Sequence, residues 1–129
     1  DRLAEATAEW LHYKVRKEIW GYVPDEPLNV NEMFKTHYQG IRPAVGYPSL
    51  PDQSIIFTLD ELINFKELGI MLTENGAMFP NASVSGLMFD HPKSKYFNIG
   101  KIDEYQFQHY ARRCRKSPDV LRKWLAANL

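Results

Sequence analysis

Apolar residues recur at Leu3, Leu11, Val15 and Ile19, with Ala4, Ala8 and Trp10 beside them. That is the stripe of an amphipathic helix over residues 1–20, stopped by Gly21 and Pro24. At ~100° per residue the polar side collects Asp1, Glu5, Glu9, His12 and Arg16, so the Asp1 and Glu5 carboxylates sit one turn apart on one face. A short second helix is expected from Asn31, a good N-cap, to about His37, ending before Gly40. Residues 40–51 then hold two Gly and three Pro, which excludes a helix, disfavours a central strand and leaves an extended strap. Thr58 with Glu61 forms a capping box for a helix carrying Leu59, Leu62, Ile63 and Leu68, closed by Gly69.

Residues 70–74, 82–89 and 95–102 read as strands, the last two joined by Asp90-His91-Pro92-Lys93-Ser94 as an antiparallel hairpin. Alternation in the third puts Phe97 and Ile99 on a core face and Tyr96, Asn98 and Gly100 on a wet or ligand-facing one. Asp103 with Gln106 caps a helix bearing Phe107, Tyr110, Ala111 and Cys114. Ser117-Pro118 opens a last helix with Leu121, Trp124 and Leu125 inward. The expected fold class is α+β, a twisted antiparallel sheet with flanking helices, in a single domain over residues 1–129.

With 129 residues, 44% of them hydrophobic, the chain can bury about two-thirds of its unfolded surface. Sixteen basic residues against 16 acidic ones remove the broad attraction that nucleic acid or an anionic membrane needs. The run Arg112, Arg113, Arg115 and Lys116 lies at a helix end, where cations complement the dipole. No apolar run approaches the ~20 residues of a membrane span. Cys114 is the one cysteine, so a disulfide or thiolate zinc site within the chain is excluded and a reducing cytoplasm is the natural setting. The start at Asp1, with a helical pattern already running, suggests an excised fragment.

No GxGxxG, GxxxxGK[ST] or GxSxG motif occurs, and His12, His37, His91 and His109 lack metal-ligand spacing. No catalytic residue and no metal site is therefore expected. The strap remains. Arg42, biased to an extended backbone by Pro43, offers a carboxylate-binding fork; Gly46 allows close approach; Tyr47 supplies an aromatic plate with a polar tip. A small zwitterion suits that surface. So does a plainer arrangement, in which Arg42 pairs with a surface carboxylate over a proline-rich crossover.

Asp1-Arg-Leu-Ala-Glu-Ala6, Gly40-Ile-Arg-Pro-Ala44, Gly46-Tyr-Pro48, Leu72-Thr-Glu74, Ala82-Ser-Val-Ser-Gly86, His91-Pro92, Ser94-Lys-Tyr96, Tyr110-Ala-Arg-Arg113 and Trp124-Leu125 fall in one order. In them the chain resembles the C-terminal activation domain of cobalamin-dependent methionine synthase, in register along nearly its whole length. The resemblance implies the C-terminal part of that domain, inactive alone and a methyltransferase component when intact. It implies binding of S-adenosylmethionine for reductive methylation of inert cob(II)alamin, with the cobalamin held by another domain and the electron drawn from flavodoxin or a related flavoprotein. The implied ligand contacts are Glu5, Arg42, Ala44, Gly46, Tyr47 and Tyr96, with Asp1 and Tyr47 towards the cobalamin domain. Two departures stand out: Pro51-Asp52-Gln53-Ser54 replaces the family's Pro-Asp-His-Thr, and an acidic ligand contact would come from outside this segment. A docking module for a flavoprotein or corrinoid protein, without methyl transfer, is the alternative.

Overall fold

A computed structural model describes residues 2–129; Asp1, expected at a domain contact, lies outside them. Helix α1 (Arg2–Lys14) runs on into a π-helical turn at Val15–Ile19, where the N–H groups of Trp20 and Gly21 share the Val15 carbonyl at 3.0 and 3.1 Å. Gly21, at φ +72°, then turns the chain away. The face that α1 buries reverses the expected one. Arg16 and His12 are wholly buried, whereas Leu3 is 85% exposed and Ile19 70%. Arg16 tolerates burial because Glu26 grips it at 2.6 and 2.8 Å and the Tyr38 ring covers it at 3.8 Å. Helix α2 (Val30–Phe34) is capped by Asn29 rather than Asn31: the Asn29 side chain accepts from the N–H groups of Asn31 and Glu32.

The strap finds a partner that periodicity did not reveal. Ile41 pairs antiparallel with Phe89 and Ala44 with Gly86, so the stretch expected as the second strand lies along the strap and not against residues 95–102. Pro43 lacks the N–H that would reach Leu87, yet its carbonyl still accepts from the Leu87 N–H at 3.1 Å. Residues 95–102 form no ladder. They lie along the strap's other end, where Ile99 N–H donates to Pro48 at 3.2 Å and the Ser49 hydroxyl bridges to both N–H and carbonyl of Phe97. Phe97 and Ile99 stay exposed, contrary to the core face expected for them. The regular sheet comprises β1 (Met71–Leu72) and β2 (Met78–Phe79), in the register Met71↔Phe79.

Helix α3 (Ile55–Ile63) starts a turn earlier than expected. Thr58 is therefore inside it, and the entry is built instead by Asp52, whose buried carboxylate accepts the Ser54 N–H at 2.9 Å. Asn64, left-handed at φ +49°, ends the helix, and Gly69 closes the following 3-10 turn (Phe65–Leu68). Helix α4 (Glu104–Cys114) carries the expected capping box of Asp103 and Gln106, and α5 (Pro118–Trp124) the expected N1 proline.

Two apolar clusters hold the molecule together: Phe107, Ala111, Leu121 and Leu125 between α4 and α5, and Val45, Ile56 and Phe65 under the strap. Burying a Phe, Ile or Leu of this kind contributes ~1.5–3 kcal/mol. An edge-to-face contact of Phe57 with Trp124 at 5.9 Å, and a 2.6 Å hydrogen bond from Tyr110 to Asp52, join them. Val45 thus anchors the strap in one core while its outer edge faces residues 96–98. No helix among the described residues is long and apolar enough to cross a membrane.

Candidate ligand-binding site

Extended backbone alternates the direction of its polar groups. In the strap, Ile41, Pro43 and Val45 direct theirs to Phe89, Leu87 and Ser85, so Arg42 and Ala44 turn theirs the opposite way. On that side lies a cleft of about 510 Å³, lined by Arg42, Pro43, Ala44 and Tyr47 from the strap and by Tyr96 and Phe97 across from it. The Arg42 N–H is met by the Tyr96 hydroxyl at 2.9 Å. The Ala44 carbonyl accepts from Tyr47 at 3.3 Å, which leaves the Ala44 N–H as a strand-edge donor directed into the cleft. Four of the six residues expected to touch a ligand, Arg42, Ala44, Tyr47 and Tyr96, are brought together here.

The Arg42 guanidinium is already held on one side. Nη1 donates to the Ala8 carbonyl at 3.1 Å and Nη2 to Glu9 at 3.0 Å. The plainer arrangement is therefore present, since Arg42 pairs with a carboxylate of its own chain, and the residue also lines the cleft with N–H donors to spare. Glu9 and Tyr38, whose phenol reaches Glu9 at 3.5 Å, were not singled out from sequence. The signal within reach was Glu9's place one turn beyond Glu5 on the polar stripe.

Two expected contacts lie apart. Gly46 borders a neighbouring cleft of about 430 Å³ beyond Tyr47, with Gln53, Lys101 and Trp124. Its N–H is taken by the Leu50 carbonyl at 2.8 Å, and its φ of +84° is a conformation for which the turn itself demands glycine. Glu5 is exposed on α1 and does not line the cleft. Tyr47 stands between the two clefts, 65% exposed.

Behind Arg42 the groups are shielded from water. Burial, with Arg16 and Arg42 nearby, brings the His12 imidazole down to about 3 and keeps it neutral. Burial, then the Glu9 charge, pushes the Tyr38 phenol well above its usual range, so it stays a donor. Among the described residues, no three His, Cys, Asp or Glu side chains gather as a metal site would require.

Residues 1–115 match the family model described as vitamin B12 dependent methionine synthase, activation domain. The chain belongs to that family. This activation-domain chain is also similar to a solved structure described as the crystal structure of the MetH reactivation domain bound to AdoHcy. The two are 50% identical with a TM-score of 0.95, over 99% of this chain and 40% of that one. The mixture of helices and a small antiparallel sheet is thus the reactivation-domain fold, and the chain spans well under half of that protein's length.

Proposed function

We propose that the cleft beside Arg42 binds S-adenosylmethionine and that the chain is the C-terminal part of a methionine synthase activation domain, serving reductive methylation of inactive cob(II)alamin. The observation that carries this reading is the strand edge left open at Ala44 between a guanidinium and two phenols. An amino acid's carboxylate suits the remaining Arg42 donors, and the Ala44 N–H can take another acceptor of the same ligand. The similar reactivation domain bound to AdoHcy, a ligand with that amino-acid end, supports the choice.

A cobalamin held by a separate domain would supply the reduced metal that accepts the methyl group. What falls to this chain is to bind, align and exclude water, which needs no acid or base. Arg42 fixes the ligand's carboxylate, the Ala44 backbone sets its orientation, and exposed Tyr47 covers the sulfonium on the side open to the cobalamin domain. Tyr96 holds the strap edge in place. Gly46 acts by shaping the turn that presents Tyr47, and Glu5 is assigned to the ligand's cationic groups on the family resemblance alone. So are a flavoprotein electron donor and Asp1's contact with the cobalamin domain. Cys114 as the sole thiol suits a cytoplasmic setting.

The test uses the full-length enzyme. Arg42→Ala should lower the ratio of reactivation by S-adenosylmethionine to ordinary turnover by about tenfold or more, the loss expected for a charge-assisted fork. An unchanged ratio counts against the assignment, as does corrinoid-protein binding by the complete domain with no calorimetric signal from S-adenosylmethionine.

A further inference from the structure

We propose that Glu9 is a positioning residue, backed by Tyr38, that sets the Arg42 guanidinium for the ligand's carboxylate. The inference rests on the binding reading above and adds to it the element that aims the arginine. Arg42 is long and flexible, and an unrestrained guanidinium would lose rotamer freedom on gripping a ligand. Here that freedom is already removed. Ala8 and Glu9 hold Nη1 and Nη2 at 3.1 and 3.0 Å from α1, and neither residue lines the cleft, so the restraint comes from outside the space a ligand would fill.

Glu9 is restrained in turn. Its side chain is 24% exposed, close to the 22% of Arg42, and Tyr38 donates to the same Oε2 that Arg42 uses. The Arg16 guanidinium sits over the Tyr38 ring at 3.8 Å, Tyr38 meets His12 edge-on at 5.2 Å, and Arg16 is forked to Glu26. Glu26, Arg16, Tyr38, Glu9 and Arg42 therefore form one chain of contacts, two ion pairs joined through an aromatic ring, running from the interior to the cleft. Arg16 fixes the inner end, so Glu9 follows Arg42 into a new rotamer only by giving up its contact with Tyr38.

The experiment is a double-mutant cycle in the full-length enzyme, read as S-adenosylmethionine affinity by calorimetry. Glu9→Gln keeps the shape of the side chain and removes its charge. Alone it should weaken binding about tenfold, and in an Arg42→Ala background it should cause no further loss, because a residue that acts through another is non-additive with it. Tyr38→Phe, which leaves every charge in place, should weaken binding about threefold with the same dependence on Arg42. Equal losses in both backgrounds would mean that Glu9 acts independently of the arginine and would overturn the proposal. An unchanged affinity in Glu9→Gln would overturn it too. If Arg42→Ala itself binds normally, the carboxylate reading of the cleft is what fails.

Discussion

The phenol of Tyr96 accepts the backbone N–H of Arg42 at 2.9 Å, closing part of the strap edge that the cleft otherwise leaves open. The bond is solvent-exposed, so removing the hydroxyl leaves the fold in place, but it also removes the phenol's own O–H, which is free to meet a ligand in the cleft that Tyr96 lines. Tyr96→Phe should lower S-adenosylmethionine affinity in the full-length enzyme by about three- to tenfold, the worth of one hydrogen bond. Calorimetry checks the affinity, and a thermal midpoint close to wild type checks that the effect is local.

Asp52 is buried, with one oxygen on Ser54 N–H and the other taken by the Tyr110 hydroxyl at 2.6 Å. Tyr110→Phe strands that second oxygen. The expected cost is ~1–3 kcal/mol of stability, seen as a lower urea midpoint at unchanged slope. A midpoint equal to wild type would show that the tie between α4 and the entry to α3 carries no weight.

His12 is held at about 3 when folded, by burial and then by Arg16 and Arg42, against an ordinary value of 6.5 in the unfolded chain. Between those values the unfolded chain takes a proton that the folded chain refuses. Stability present in full above pH 6.5 is therefore lost as pH falls, by up to about 1.4 kcal/mol per unit. Urea midpoints at several pH values between about 7 and 5, where carboxylates stay charged, should fall in wild type and stay flatter in His12→Gln. Parallel profiles would refute the linkage.

Arg115 ends α4 in the left-handed region at φ +55° and sends its N–H back to Ala111 and Arg112. Glycine adopts that conformation without the Cβ penalty. Arg115→Gly should raise stability by about 1 kcal/mol, measured as a higher thermal midpoint; a fall would show that the arginine side chain contributes something its exposed position does not suggest.

The elements legible before folding are those whose determinants sit within a turn of one another. Asp103 and Gln106 cap α4, and Pro118 starts α5, through bonds and φ restrictions that need nothing beyond their neighbours. Arg42, Ala44, Tyr47 and Tyr96 were legible through family resemblance, and the cleft gathers them. Thr58 and Glu61 also fit a capping pattern, yet Asp52 starts α3 earlier through a carboxylate held by Tyr110. Local pattern is a poor guide wherever such a distant partner competes.

The amino-acid order by itself determined where backbone conformations are restricted: the prolines that stretch the strap, Gly21 at the end of the first helical run, and the caps of α4 and α5. Tertiary structure decided which faces meet. It laid residues 85–89 along the strap, turned the polar side of α1 inward around Arg16, and brought Glu9 to Arg42 across 33 residues of chain. Short-range restrictions cost or gain energy in any fold, whereas burial of a charge or pairing of an edge has no value until the whole chain has chosen its partner.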